Sequence, residues 1–152
     1  MSTKNFSILV AIDGSVSSMK AVDYAIQLAK KQDNARLTLL NILDIDMAKK
    51  MVSSFIIAPT YGLKEYEEDK KAVLERLDEV KKKCEGEGIQ TKIEVVGGPT
   101  PVTSSIVNYA ENENVDLLVV GTRGNSGLKK LLLGSVASGV VTYAHCPVLV
   151  VK

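Results

Sequence analysis

The chain is poor in the residues from which most catalytic and metal centres are built. Its 152 residues include two cysteines, Cys84 and Cys146, and one histidine, His145. The cysteines stand in no metal-ligand or redox spacing, which sets aside a disulfide framework, a zinc site and a dithiol pair. A lone histidine leaves no Ser-His-Asp set in view, and near the end of a helix it suits a side chain meeting the last helix carbonyls. Lys plus Arg total 19 against 18 for Asp plus Glu, so no net field would gather nucleic acid or an anionic membrane, and charge argues for a small local site. The start, MSTKNFSILV, lacks the long apolar segment of a signal peptide or membrane span. The expected location is the cytoplasm, with both thiols reduced.

What the chain does have is an alternation of two hydrophobic periods. FSILVAI (Phe6–Ile12), RLTLLNIL (Arg36–Leu43), TKIEVV (Thr91–Val96), DLLVVG (Asp116–Gly121) and PVLVVK (Pro147–Lys152) are short, aliphatic and bounded by Gly, Asp or Pro, and are expected to be strands. Consecutive apolar runs such as SILV, LLVV and VLVV fit parallel strands covered on both faces, whereas TKIEVV alternates and suits an edge.

Between the strands lie helical stretches. Val22, Ala25, Ile26 and Ala29 mark the inner face of a first helix, capped by Ser17 or Ser18, and Val73, Leu74, Leu77, Val80 and Cys84 mark that of a second. A third helix from near Pro101 carries Val102, Ile106, Tyr109 and Ala110 inward, and a fourth from about Ser135 carries Val136, Val140, Val141 and Ala144. Asp44 to Gly62 has no clean period and reads as a variable insertion, in which Asp44 and Asp46 are more simply solvated carboxylates than a metal site. The order implies one domain over residues 1–152: an α/β, Rossmann-like, three-layer unit with an open five-stranded parallel sheet and helices on both faces. A chain of this length buries roughly 70% of its unfolded surface, enough for an autonomous core.

Open parallel sheets bind ligands beyond the carboxyl ends of their strands, where strand order reverses. The stretch GTRGNSGLKKLLLGS, Gly121 to Ser135, follows such an end, and the first strand ends at Asp13-Gly14-Ser15. If strands one and four are neighbours, Asp13 and Gly121 face each other across the crevice. Gly121 and Gly124 can take positive φ and expose bare backbone, and Gly134-Ser135 opens a helix whose unpaired N–H groups and dipole favour an anion, phosphate above all. The plain alternative is that Ser135 only caps that helix and the glycines only turn the chain. No Gly-Lys-Ser/Thr ends the loop and no G-x-G-x-x-G register is present, so it is neither a Walker nor a dinucleotide loop. Lys129 and Lys130 could reach a phosphate or, with Leu128, Leu131 and Leu132 inward, point to water.

Gly121, two residues, Gly124, nine residues, then Gly134-Ser135 resembles the nucleotide-binding signature of the ATP-binding branch of the universal stress protein family. The resemblance spans the chain, from ILVAIDGS through LTLLNIL, ENVDLLVVGTRG and LLLGSVASGVV to AHCPVLVVK. It implies a sheet in the order 3-2-1-4-5, a homodimer through the last strand (Pro147 to Val151), and ATP as ligand, with AMP or ADP as alternatives and Mg²⁺ arriving on the nucleotide. It further implies that Asp13 bonds ribose, that Ala11, Ile42 and Val120 line the adenine slot with Gly121 at its edge, and that Arg123, Gly124, Asn125, Gly134, Ser135 and Val136 border the phosphates. Two departures from the family pattern are GGPTP (Gly97 to Pro101), one residue longer than the usual Gly-x-Pro step, and Asn41, where many members carry histidine. Three functions follow as expectations: a nucleotide-dependent regulator acting on an unknown downstream protein, a slow ATP hydrolase or phosphotransferase, and a nucleotide-free dimerisation module. No catalytic residue and no protein-held metal is expected, since a hydrolase needs a base and a metal-holding carboxylate that the sequence does not display.

Overall fold

In the structure, a computed structural model that describes residues 4–44, 61–98, 100–122 and 133–152, strands and helices alternate as the two periods require. The elements are β1 (Phe6–Ala11), α1 (Val16–Lys30), β2 (Ala35–Asp44), α2 (Tyr61–Gly86), β3 (Gln90–Gly98), α3 (Val102–Asn112), β4 (Leu117–Gly121), α4 (Ser135–Tyr143) and β5 (Val148–Val151). The five strands form one parallel sheet in the order β3-β2-β1-β4-β5. TKIEVV is thus part of an edge strand, as its alternation indicates, and β5 is the other edge.

Alternate residues of each strand enter opposite cores, which is why the central strands carry unbroken apolar runs such as Ile8–Val10 and Leu117–Val120. Ile8 and Val10 of β1 pack with Leu37 and Leu39 of β2 against Val22, Ala25 and Ile26 of α1 and Val73, Leu77 and Cys84 of α2. On the other face Leu9, Leu40, Leu118 and Val120 pack against Ile106 and Ala110 of α3 and Ala137 and Val140 of α4. Each fully buried aliphatic side chain contributes about 1.5–3 kcal/mol relative to exposure, so the two layers are what hold the sheet.

Three expectations at this level need correcting. Leu74 and Val141 are 38% and 49% exposed, because α2 and α4 each cover the sheet with a narrow stripe in which Val73 and Leu77, or Ala137 and Val140, already occupy the inner positions. The cap of α1 is Ser15, not Ser17 or Ser18: its Oγ accepts from Ser18 N at 3.2 Å while its backbone is extended. Tyr61 and Gly62 begin α2 and Asp44 ends β2, so the aperiodic stretch shrinks to residues 45–60, which lie outside the described residues, as do Asp46 and Pro99.

The two ends of the sheet differ. At the amino ends of the strands, the turns into β2, β3 and β4 are short and each carries a left-handed residue: Asn34 (φ 58°), Gly88 (φ 81°) and Asn114 (φ 49°). At the carboxyl ends the connections from β2 into α2 and from β4 into α4 are long. Functional side chains collect on such loops because a rigid sheet positions them.

Candidate nucleotide site at the carboxyl ends of β1 and β4

β1 and β4 are neighbours, paired in parallel with Val10 opposite Val119, and extending that register sets Ile12 beside Gly121. The main chain beyond β1 is held at several points. Ile12 N donates to Leu40 O at 2.8 Å, and the Asn41 side-chain amide donates to Ile12 O at 2.7 Å. Asp13 is exposed, and its Oδ1 accepts from Ser15 N at 2.9 Å, an Asx turn. Gly14, at φ +84°, supplies the left-handed step that lets the chain reverse from strand into helix. Ser15 then caps α1, and Ser18 Oγ returns a hydrogen bond to Ser15 O at 2.9 Å. Asp13 therefore lies in a turn whose main chain is held on both sides, at the carboxyl end of β1.

Gly121 meets a different need from the one expected. Its φ is not in the left-handed region; a Cβ there would lie 2.5 Å from Ser17 Oγ, 2.7 Å from Ser17 C and 2.9 Å from Ser17 O. The first turn of α1 rests directly on the end of β4, and only a hydrogen fits between them.

Beyond Gly121 the neck of the glycine loop is closed by backbone bonds. Thr122 N donates to Val151 O at 2.9 Å, and Gly134 N donates to Thr122 O at 2.7 Å. The Gly134 amide thus ties the two ends of the loop together, and the unpaired N–H groups expected at this helix start are those that follow it. The loop residues Arg123, Gly124 and Asn125, with Lys129 and Lys130, lie outside the described residues. Gly134, which has no side chain to cap with, is the N-cap of α4, and no side-chain cap bond is made there among the described residues. Ser135, exposed at the first helical position, therefore does not serve as the cap that the plain alternative required. Helix geometry leaves the amides of the first turn, Ser135 to Ala137, without carbonyl partners inside the helix, and they emerge beside the loop neck.

The apolar members fall on one side. Ala11, Ile42 and Val136 are half-buried against the α3/α4 core, and Val120 is buried within it, 3% exposed. Ala11, Ile42 and Val136 thus present partial apolar surface, while Val120 offers mainly main chain. Asp13, Gly121, Gly134 and Ser135 belong to the ends of β1 and β4 and the start of α4, so the topology brings the described candidates to one end of the sheet.

Other groups are placed elsewhere. His145 lies past the end of α4 with Nε2 3.4 Å from Glu111 Oε2, so it faces a carboxylate of α3 rather than helix carbonyls. Burial pushes the thiols of Cys84 and Cys146 above the usual range, so neither is a ready thiolate. Among the described residues, no three His, Cys, Asp or Glu side chains gather as a metal cage, and no helix is long and apolar enough to cross a membrane. Cavities among the described residues include a groove of about 500 Å³ between α1 and β5 and one of about 400 Å³ at the amino ends of β1 to β3. Sequence reasoning missed Ser17, Thr122 and the role of Asn41; only Asn41 left a signal, a polar residue inside an apolar strand.

Known proteins resemble this arrangement along the whole chain. Residues 5–152 match the model of the Universal stress protein family. Universal stress protein YxiE of Bacillus subtilis is 37% identical over 147 residues, which cover 95% of this chain and 97% of the relative. The solved structure of hypothetical protein MJ0577 superposes with a TM-score of 0.81 at 28% identity, covering 96% of this chain and 94% of that one. A universal stress protein solved in complex with cAMP superposes with a TM-score of 0.64 at 27% identity, covering 99% and 98%.

Proposed function

Because the chain belongs to the universal stress protein family, we propose that it binds an adenine nucleotide at the carboxyl ends of β1 and β4 and acts as a nucleotide-dependent regulator. The observation that carries this reading is the start of α4, without a side-chain cap among the described residues, set beside a hydrogen-bonded loop neck at the same end of the sheet as the Asp13 turn. First-turn amides and the helix dipole suit phosphate, a carboxylate suits vicinal ribose hydroxyls, and Ala11, Ile42 and Val136 offer apolar surface to a flat base. The relative solved with cAMP supports the choice of an adenine nucleotide.

In this reading Asp13 bonds the ribose, Ala11, Ile42, Val120 and Gly121 border the adenine, and Arg123, Gly124, Asn125, Gly134, Ser135 and Val136 border the phosphates. ATP is the proposed physiological ligand, with AMP or ADP as alternatives. Mg²⁺ would be carried on the nucleotide's own oxygens. Occupancy stabilises the folded chain by RT ln(1 + [L]/Kd), about 2.7 kcal/mol at a hundredfold excess over Kd.

We further propose a homodimer through Pro147 to Val151 in the cytoplasm, its surface read by a downstream protein. Pro147 O and Val151 O accept from β4 (Leu118 N at 3.0 Å, Thr122 N at 2.9 Å), so by strand alternation the main-chain groups of Val148 and Val150 face the open edge of the sheet. An open edge is a ready template for a second strand.

Calorimetric titration with ATP and AMP tests the binding claim. The parent chain is expected to bind, Gly124→Val to abolish binding by placing a side chain in the phosphate path, and Ser135→Ala to weaken it by about 1–2 kcal/mol through loss of a charge-assisted hydrogen bond. Parent-like binding by both variants overturns the loop assignment.

A further inference from the structure

We infer that Asn41 is a positioning residue for the nucleotide's ribose, acting through the main chain that carries Asp13. This rests on the nucleotide reading above and adds to it a residue that touches no ligand. Asn41 belongs to β2, where its odd-numbered neighbours Leu37 and Leu39 are buried in the α1/α2 core and Leu43 packs against it. A primary amide on that face costs stability unless it is hydrogen-bonded, and the position would accept an aliphatic residue. Its amide nitrogen donates to Ile12 O at 2.7 Å, in a part-buried setting. Ile12 is itself 5% exposed and is the residue immediately before Asp13. On the other side of Asp13 the chain is fixed by the Asp13 Oδ1 to Ser15 N bond at 2.9 Å and by the Ser15 cap. Asp13 thus follows a main chain fixed by a side chain reaching across from β2 and precedes one fixed by its own Asx turn. Loosening the Asn41 bond allows the peptide plane between Ile12 and Asp13 to rotate and the carboxylate to swing away from the hydroxyls it would bind.

The test compares two probes, AMP and 2′,3′-dideoxyadenosine 5′-monophosphate, which keeps base and phosphate but lacks the ribose hydroxyls. Asn41→Leu removes the donor and suits the apolar face but leaves the Ile12 carbonyl without this partner, so its melting temperature should fall by a few degrees, about 2–4 °C per kcal/mol, with the fold kept. Loss of one positioned hydrogen bond predicts AMP affinity lower by about fivefold, with dideoxy-nucleotide affinity unchanged. Asn41→His, whose ring N–H can donate, should recover most of the AMP affinity. Asp13→Asn keeps the Asx-turn oxygen but removes the charge, and adding Asn41→Leu to it should cost nothing further. Equal losses on both probes, additive losses in the double variant, or no loss in Asn41→Leu overturn the positioning role while leaving the nucleotide site intact. If the parent chain takes up no AMP, the nucleotide reading and this inference fall together.

Discussion

Replacing Gly121 by alanine tests the most constrained contact of the site. The added Cβ would stand 2.7 Å and 2.9 Å from the backbone carbon and oxygen of Ser17, besides 2.5 Å from its Oγ. Backbone atoms cannot step aside as a flexible side chain does, so the first turn of α1 has to lift or the end of β4 has to drop. Overpacking of this kind costs about 1–3 kcal/mol. For a chain of this size each kcal/mol lowers Tm by about 2–4 °C, so the expected loss is roughly 2–12 °C by differential scanning calorimetry. Gly86→Ala is the matched control: it ends α2 with nothing within 4 Å of the added methyl, and should be neutral or more stable by up to about 1 kcal/mol. Ser17→Ala removes only the nearest of the three clashing atoms, so it should rescue Gly121→Ala in part, not fully. Because Ser17 follows the Asp13-Gly14-Ser15 turn, AMP affinity should fall along with stability. A Gly121→Ala protein that melts with the parent and binds AMP unchanged would refute the packing argument.

Four further outcomes follow from the same coordinates. Asp116 is held below the usual carboxylate range by the Ser7 N–H at 2.9 Å and then by Lys4 at 3.0 Å. A depressed folded pKa means this contribution is present above the unfolded value, about 4, and is lost as pH falls through the folded one. Asp116→Ala should therefore cost about 1–2 kcal/mol in urea melts at pH 7 and progressively less below pH 4. At Gly97 a Cβ would meet the Tyr66 ring at 2.5–2.9 Å, so Gly97→Ala should destabilise by about 1 kcal/mol, and Tyr66→Leu should absorb most of that loss in a double-mutant cycle. The Tyr109 hydroxyl is buried and no group among the described residues meets it in good hydrogen-bond geometry, while the Lys92 ammonium lies 6.0 Å from its ring centroid, so Tyr109→Phe should shift stability by no more than about 1 kcal/mol; a larger loss would show that the Lys92 contact is a full hydrogen bond. Val150→Pro blocks only the outward edge of β5, so sedimentation should show dissociation of the proposed homodimer with Tm of the monomer little changed.

Much of this was legible before the fold was known, for definite reasons. Doubly covered strands leave unbroken apolar runs, and the parallel sheet with an edge at TKIEVV follows from them, whereas the strand order came from the family resemblance. Orientation errors arose where a helix had more apolar residues than its narrow stripe could bury: Leu74 and Val141 continue the pattern but find their inner neighbours already in place. The cap of α1 was displaced because three serines fall at 15, 17 and 18 and only Ser15 has the extended backbone a cap requires. At the candidate site, the glycine spacing pointed to the carboxyl ends of the strands, but the physical need at Gly121 depends on a residue of α1 that no local pattern connects to β4. The bond between Gly134 N and Thr122 O closes a loop across eleven intervening residues, a contact that sequence spacing alone does not disclose.

The claim on which the rest depends is that the first-turn amides of α4 and the Asp13 turn together hold an adenine nucleotide. Amide chemical-shift mapping during an AMP titration of the ¹⁵N-labelled protein tests it residue by residue. The account predicts the largest changes at Ser135, Val136 and Ala137 and at Asp13 to Ser15. Changes confined to the α1/β5 groove (Lys20, Asp23, Tyr24) or to the amino ends of β1 to β3, or no changes at millimolar AMP, would contradict it.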